Sequence, residues 1–399
     1  MQLKKKLRAA AAGLLSAAVI TLSGAGLHYF SRLPDCVMVD SCSAVEELHF
    51  AGYPEISLVP GAGGRASAVL FGAVPVKSIQ VVESEAPLVY AGGSPFGIKL
   101  LMDGVMVTEL DDVRSADGTL SCPAAAAGIS EGDVIRTAGG VSVVSNKGLQ
   151  TIIGSSGGEP VTLTVSRGGE TREAVLTPVM SETDGSWRGG MWVRDSIAGI
   201  GTMTYIDPET GSFAGLGHPV CDSETGELVP LQSGEAVPVE LADVKKGEHG
   251  IPGELRGTLS HTGSYGVLTL NSGAGIFGSL SSSSVRELSR GSELVPLGYR
   301  QDVTEGEAYI YASVKGSTPK RYSVEIESVD YSGGGKDMVI HITDEQLIAE
   351  SGGIVQGMSG SPVIQSGRLV GAVTHVFVAD PTRGYGIFAE SMMQASQSG

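Results

Sequence analysis

The chain has 399 residues, with 27 lysines and arginines against 44 aspartates and glutamates, 58 glycines, 18 prolines and only 5% aromatic residues. That length asks for two or three domains, and the glycine and proline content points to a turn-rich, mostly β protein. A net charge of −17 excludes nucleic acid as a partner, since phosphate binding needs clustered cations, and disfavours adhesion of the folded part to anionic lipid.

Lys4, Lys5, Lys6 and Arg8 precede an apolar, small-residue stretch from Ala9 to Phe30. A cationic flank before about 20 apolar residues predicts a membrane-spanning helix or an export signal. Ser23-Gly24-Ala25 offers a cleavage site, but the apolar character continues through Leu27, Tyr29 and Phe30. Residues 1–30 are therefore read as an uncleaved transmembrane anchor, with the bulk of the chain exported. Residues 31–87 predict a stalk and a small β region. Its β-like runs are Cys36–Val39, Ser57–Val59, Ala68–Leu70 and Ser78–Val82, interrupted by Gly61-Ala62-Gly63-Gly64. Cys36, Cys42, Cys122 and Cys221 contain no Cys-x-x-Cys pair, so metal and redox motifs are absent. Cys36 and Cys42 are spaced for a small loop disulfide in an oxidising compartment; four independent thiols is the plainer reading.

Residues 88–180 form a better-defined α+β module. Leu88-Val89-Tyr90 leads into Gly92-Gly93-Ser94-Pro95-Phe96-Gly97-Ile98, and Val105-Met106-Val107 follows. Then come Pro123-Ala124-Ala125-Ala126-Ala127-Gly128-Ile129 and Gly132-Asp133-Val134-Ile135, a short helix closed by Gly128 and a turn entering a strand. Ser145 caps a helix carrying Leu149, Ile152 and Ile153, and Val161–Val165 with Glu173–Leu176 make a hairpin across Arg167-Gly168-Gly169. The module resembles a PDZ domain of the bacterial protease-associated kind. The resemblance implies that Pro95, Phe96, Gly97 and Ile98 form a peptide-binding loop whose amides meet a peptide C-terminus, so peptide tails are expected partners. A small structural domain with an unused groove is the plainer reading.

Ser181–Gly190 reads as a polar linker, and from Met191 onward the pattern is nearly all β. Ile200–Ile206, Ser212–Leu216, Val267–Leu270, Ala308–Val314, Tyr322–Val329 and Met338–Ile342 are predicted strands, with Pro208-Glu209-Thr210-Gly211 as a turn. Many short strands with Gly-rich turns predict an antiparallel barrel or paired barrels over 181–399. Near the end stands Gly357-Met358-Ser359-Gly360-Ser361-Pro362, flanked by apolar runs. Trypsin-like proteases present a nucleophilic serine in such a turn, where the Gly357 and Ser359 amides can face one carbonyl oxygen as an oxyanion hole. An α/β hydrolase would show Gly-x-Ser-x-Gly instead.

A serine hydroxyl needs a base. His28 falls in the anchor, His49 in the stalk, and His249 in a Gly/Lys loop; His261 and His341 occupy ordinary loop or strand positions. His218, in Leu216-Gly217-His218-Pro219, ends a strand where glycine and proline fix the backbone. A structural turn histidine is the plainer reading there. His375 follows the nucleophile hairpin within an apolar strand and reads as a wall of the site. Asp344, fifteen residues before Ser359 (359 − 344 = 15), and Asp222, four after His218 (222 − 218 = 4), are rival orienting carboxylates, with Asp243 and Glu248 behind them. Spacing does not separate the first two.

Residues 352–362, the run Gly371-Ala372-Val373-Thr374-His375-Val376-Phe377-Val378, Asp380-Pro381-Thr382 and Gly384-Tyr385-Gly386 resemble the SpoIVB-type sporulation signalling peptidases, serine proteases with a PDZ domain before the catalytic domain. The resemblance implies a His218–Asp344–Ser359 triad and no metal or cofactor. It further implies cleavage of a membrane-bound regulator between forespore and mother-cell membranes, self-cleavage near the N-terminus, and activation of a late mother-cell sigma factor. A general envelope quality-control protease of the PDZ type and a non-enzymatic PDZ adaptor are the alternatives.

Overall fold

The structure, a computed structural model, describes residues 24–39, 49–223, 225–260 and 262–397. Most of the anchor reading, and Cys42, lie outside them. Among the described residues no helix is long and apolar enough to cross a membrane.

The expected stalk is a domain. Strands β1 (Cys36–Val39), β2 (His49–Phe50), β3 (Tyr53–Pro60), β4 (Arg65–Leu70) and β5 (Val74–Glu83) form a five-stranded sheet in the order β1-β5-β4-β3-β2. Alternation in β3 and β4 buries Ile56, Leu58, Ala66, Ala68 and Leu70 on one face. That face shares a core with Ile310, Tyr322, Ile326 and Ile340 further along the chain. Tyr331 ties the two together, accepting from the Gly52 amide at 2.8 Å and donating to the Val303 carbonyl at 2.6 Å.

After β6 (Leu88–Ala91), two long strands organise the chain. β7 runs from Pro95 to Leu110, and β11 from Met191 to Ile206. Between them lie α1 (Pro123–Ala126), β8 (Val134–Ala138), α2 (Asn146–Gly154), β9 (Val161–Arg167) and β10 (Glu170–Leu176). The sequence signals hold here: Ser145 caps α2 through the Gly148 amide, and β9 and β10 pair across Arg167-Gly168-Gly169-Glu170. With the far half of β7 these elements close a small core around Val105, Ile135, Leu149, Leu163 and Leu176.

The near half of β7 does something else. Together with β13 (Leu231–Val237), β14 (Gly266–Ser272), β15 (Gly275–Leu280), β12 (Ser212–Gly215) and β11 it closes a ring of pairings, β7-β13-β14-β15-β12-β11-β7. A second closed barrel comes next: β16 (Gly306–Ala312), β17 (Lys320–Val329), β18 (Met338–Ile342), β21 (Asp380–Phe388), β20 (Arg368–Phe377) and β19 (Pro362–Gln365), in that order. α3 (Glu345–Ser351) leads from β18 towards the serine turn, and α4 (Ala389–Gln397) packs on β20 and β21. The paired barrels expected for 181–399 are present, but the first begins at Pro95. The small α+β domain is inserted into it rather than placed before it.

This corrects the assignment of Pro95, Phe96, Gly97 and Ile98 as a peptide-binding loop. All four are buried in β7, facing Gly199–Thr202 of β11, with Gly97 and Ile98 also facing Val237 and Ala236 of β13. Gly97 and Ile98 have partner strands on both sides, and Pro95 has no N–H, so the segment presents no row of free amides to a peptide carboxylate.

The inserted domain carries one buried charge. Asp133 is fully buried, accepts from Arg167 at 2.6 Å and Arg172 at 3.0 Å, and caps the Ser130 amide at 2.9 Å. Burial alone would raise its carboxyl, but these hydrogen bonds hold it below the usual carboxylate range. Its contribution is therefore present above about pH 4 and fades as pH falls below that. Asp133→Asn should destabilise this domain by about 1–2 kcal/mol, the arginines being partly exposed. Thermal melting of parent and variant at pH 7 and pH 3 checks it: the gap closes in acid.

Candidate active site

The serine turn depends on glycine. Gly357 and Gly360 have φ of 98° and 96°, and a Cβ at Gly360 would run into the Thr202 carbonyl and the Leu216 amide. Ser359 between them is half-buried, its hydroxyl donating to the Thr374 carbonyl at 2.6 Å. Met358 donates to the Val355 carbonyl and Gly360 to that of Val373. Among the described residues the Gly357 and Ser359 amides donate to nothing within the chain, so both remain available to a substrate oxygen.

His218 reaches the turn from the other barrel. At the end of β12 Leu216 and Gly217 both take left-handed backbone, φ 67° and 68°, which is strained for leucine. The kink drives Gly217 against Ile387 and Thr374 of the second barrel and delivers His218 into the cleft. The imidazole Nδ1 lies 2.8 Å from the Pro219 carbonyl. A carbonyl only accepts, so this bond places the proton on Nδ1 and leaves Nε2 of the neutral ring as a proton acceptor. Desolvation lowers its affinity for a second proton, opposed by that same bond. The ring of His375 lies 4.8 Å from that of His218, tilted by 37°. Its own protonation is disfavoured by desolvation and by the charges of His218 and Lys336.

His218 and Ser359 line one cavity of about 380 Å³, together with Ile98, Ile197, Ile200, Ile354, Val355, Val376 and His375. The rest of the wall is polar only at the two histidines, Cys221, Gln356, Ser359, Thr374 and the backbone of the serine turn.

Asp344 is not at this site. It is the N-cap of α3, its carboxylate accepting from the Leu347 amide at 3.0 Å and the Ser323 amide at 3.3 Å. Among the described residues no carboxylate hydrogen-bonds His218. The expected acid is thus replaced, as partner of Nδ1, by a backbone carbonyl. Its rival Asp222 is buried and paired with Arg194, and caps the Thr225 amide. Both carboxylates are bound to local backbone, which is a common fate of aspartate at the end of a strand.

A family model for SpoIVB peptidase S55 matches residues 185–393, and one for a PDZ domain matches residues 79–177. The chain belongs to the SpoIVB peptidase S55 family. It is a serine peptidase carrying a PDZ domain. Solved structures similar to parts of this S55 peptidase include the PDZ domain of an SdrC-like protein from Listeria monocytogenes, at 23% identity over 23% of this chain and 87% of that one, TM-score 0.19. The inactive form of the Rv3671c protease is similar at 12% identity over 50% of this chain and 83% of that one, TM-score 0.28. No curated protein matches the chain.

Pro219 and Thr374, whose carbonyls hold the His218 and Ser359 side chains, carry no sequence signal, because a backbone acceptor is available at every residue. Asp344→Asn in the S55 peptidase should keep cleavage within about tenfold of the parent, because asparagine caps a helix as well as aspartate. A triad acid would lose about 10⁴-fold. The rate of self-cleavage of the two chains decides between cap and acid. The depressed His218 predicts that the acidic limb of the pH–kcat/KM profile falls below about 6.5, the ordinary histidine value.

Proposed function

We propose that this S55 peptidase is a sporulation signalling endopeptidase that cuts after apolar residues, using Ser359 as nucleophile and His218 as base. The observation that carries the chemistry is the arrival of both residues, one from each barrel, at a single cavity. His218 Nε2 takes the proton as the Ser359 hydroxyl leaves the Thr374 carbonyl and attacks the substrate carbonyl. The Gly357 and Ser359 amides receive the developing oxyanion, and the Pro219 carbonyl steadies the imidazolium through Nδ1–H. The imidazolium then gives its proton to the leaving amine, and water, deprotonated by the same ring, releases the acyl-enzyme. Ile197, Ile200, Ile354, Val355 and Val376 favour an apolar side chain beside the cut, and no charged group in the wall selects a lysine or glutamate.

Family membership supports the biological setting. The substrate is a membrane-bound regulator, reached in the space between forespore and mother-cell membranes, and its cleavage triggers activation of a late mother-cell sigma factor. The cationic flank and apolar run of residues 4–30 support export and attachment to the membrane, and the chain's own N-terminal region is a second substrate. The PDZ domain receives peptide tails of partners at a groove other than the buried Pro95–Ile98 segment.

Intact chain and Ser359→Ala, expressed side by side and mapped by mass spectrometry, test the reading. Discrete N-terminal fragments ending in apolar residues are expected from the parent alone. The same fragments from both chains would remove Ser359 from the chemistry.

A further inference from the structure

The serine turn belongs to the second barrel, yet it is held by the first. β11 presents Thr202 and Thr204, two residues apart, on one face. The Thr202 hydroxyl donates to the Gly357 carbonyl at 2.7 Å, and the Thr202 amide donates to the Ser359 carbonyl at 2.9 Å. The Thr204 hydroxyl donates to the Gly360 carbonyl at 2.8 Å. Both threonines are buried, 2% and 0% exposed. A buried hydroxyl costs free energy unless it is bonded, and valine has the same shape without that cost. The hydroxyls are there for the bonds.

Those bonds fall on peptide planes that matter. A carbonyl fixed in direction fixes its whole peptide plane. Thr202 pins the plane after Gly357 and the plane after Ser359, which flank the one carrying the Ser359 amide. With both neighbours pinned, that amide cannot counter-rotate away from the cleft. Gly357, lacking a side chain and at φ 98°, offers little local resistance of its own to such a turn. The Thr202 hydroxyl supplies the resistance from the opposite barrel.

We infer that Thr202 is a positioning residue of the peptidase reaction, clamping the serine turn so that the Ser359 amide faces the substrate beside that of Gly357. The inference rests on Ser359 being the nucleophile, and deepens that reading. It assigns to the strand leaving the PDZ domain a direct grip on the catalytic turn.

The test compares the parent with Thr202→Val, Thr202→Ser and Ser359→Ala in the full chain. Self-cleavage is timed, kcat and KM are measured on casein, and binding of an N-acetylated tripeptide leucine aldehyde is titrated. The aldehyde forms a hemiacetal with the serine hydroxyl, and its oxygen occupies the oxyanion position. Thr202→Val is expected to lower kcat about 10–100-fold with KM within about twofold, since a displaced donor costs less than a deleted one. Aldehyde affinity should fall by a similar factor, and Thr202→Ser should restore both to within about threefold. Parental kcat in Thr202→Val, with Ser359→Ala inactive, overturns the clamp while leaving the nucleophile in place. Equally, a loss that tracks only the unfolded fraction by near-ultraviolet circular dichroism, with undiminished aldehyde affinity in the folded part, makes Thr202 merely structural. Full activity of Ser359→Ala removes nucleophile and clamp together.

Discussion

The ladder between β7 and β11 is the constraint on which the rest of the molecule depends. It runs from Pro95 opposite Thr202 to Leu110 opposite Met191, with register shifts near Trp192 and Arg194. One end closes the first barrel and the other frames the inserted PDZ domain. Both strands leave the barrel together, so the PDZ domain is attached by two hydrogen-bonded strands rather than by a single flexible linker. Asn146, at the start of α2, adds a tie to β11, donating from its amide to Asp195 at 2.9 Å and from its side chain to the Val193 carbonyl at 3.3 Å. The same strand then contributes Ile197 and Ile200 to the cavity wall and Thr202 to the serine turn. β11 thus runs without a break from the PDZ domain to the cavity lined by His218 and Ser359.

The cleft joins two independently closed barrels, and its chemistry depends on how they meet. Leu216 accepts a strained backbone so that Gly217 can press against Thr374 and Ile387 and His218 can enter the site. Thr202 and Thr204 answer from the same barrel by holding three carbonyls of the serine turn. In exchange the second barrel supplies the Thr374 carbonyl that parks the Ser359 hydroxyl and the His375 ring beside His218. Neither half is a site alone. The N-terminal sheet reinforces the second barrel from outside, sharing its core through Phe50, Ile56 and Tyr331, and so stiffens the platform that carries Ser359.

Much of this was legible in the chain. The Gly357–Pro362 turn was readable because glycine is demanded by backbone angles and close approach, which are local requirements. Ser145 as a cap, the hairpin at Arg167-Gly168-Gly169 and the alternating strands of the second barrel are equally local, and each appears where its residues placed it. His218 stood out for the same reason: glycine and proline beside an imidazole at a strand end. The assignments that failed were those in which a segment's partner lies far away. Pro95–Ile98 has the composition of a loop, but its environment is set by Ala236 and Gly199, more than a hundred residues further on. Asp344 has the position of a triad acid, but its carboxylate is captured by the first turn of α3, a contest between near and distant donors that spacing does not decide.

By itself, then, the sequence determined the kinds of unit and the chemistry: a mostly β chain, a PDZ module, a serine in a glycine turn and a histidine able to serve it. These arise from residue-level preferences that act within a few positions. Tertiary structure alone decided that the PDZ domain interrupts the first barrel, that a backbone carbonyl rather than Asp344 is the partner of His218 Nδ1, and that the Thr202 hydroxyl meets the serine turn across 155 residues of chain. Such contacts are fixed by barrel closure, where register over whole strands, not local propensity, selects which distant groups meet.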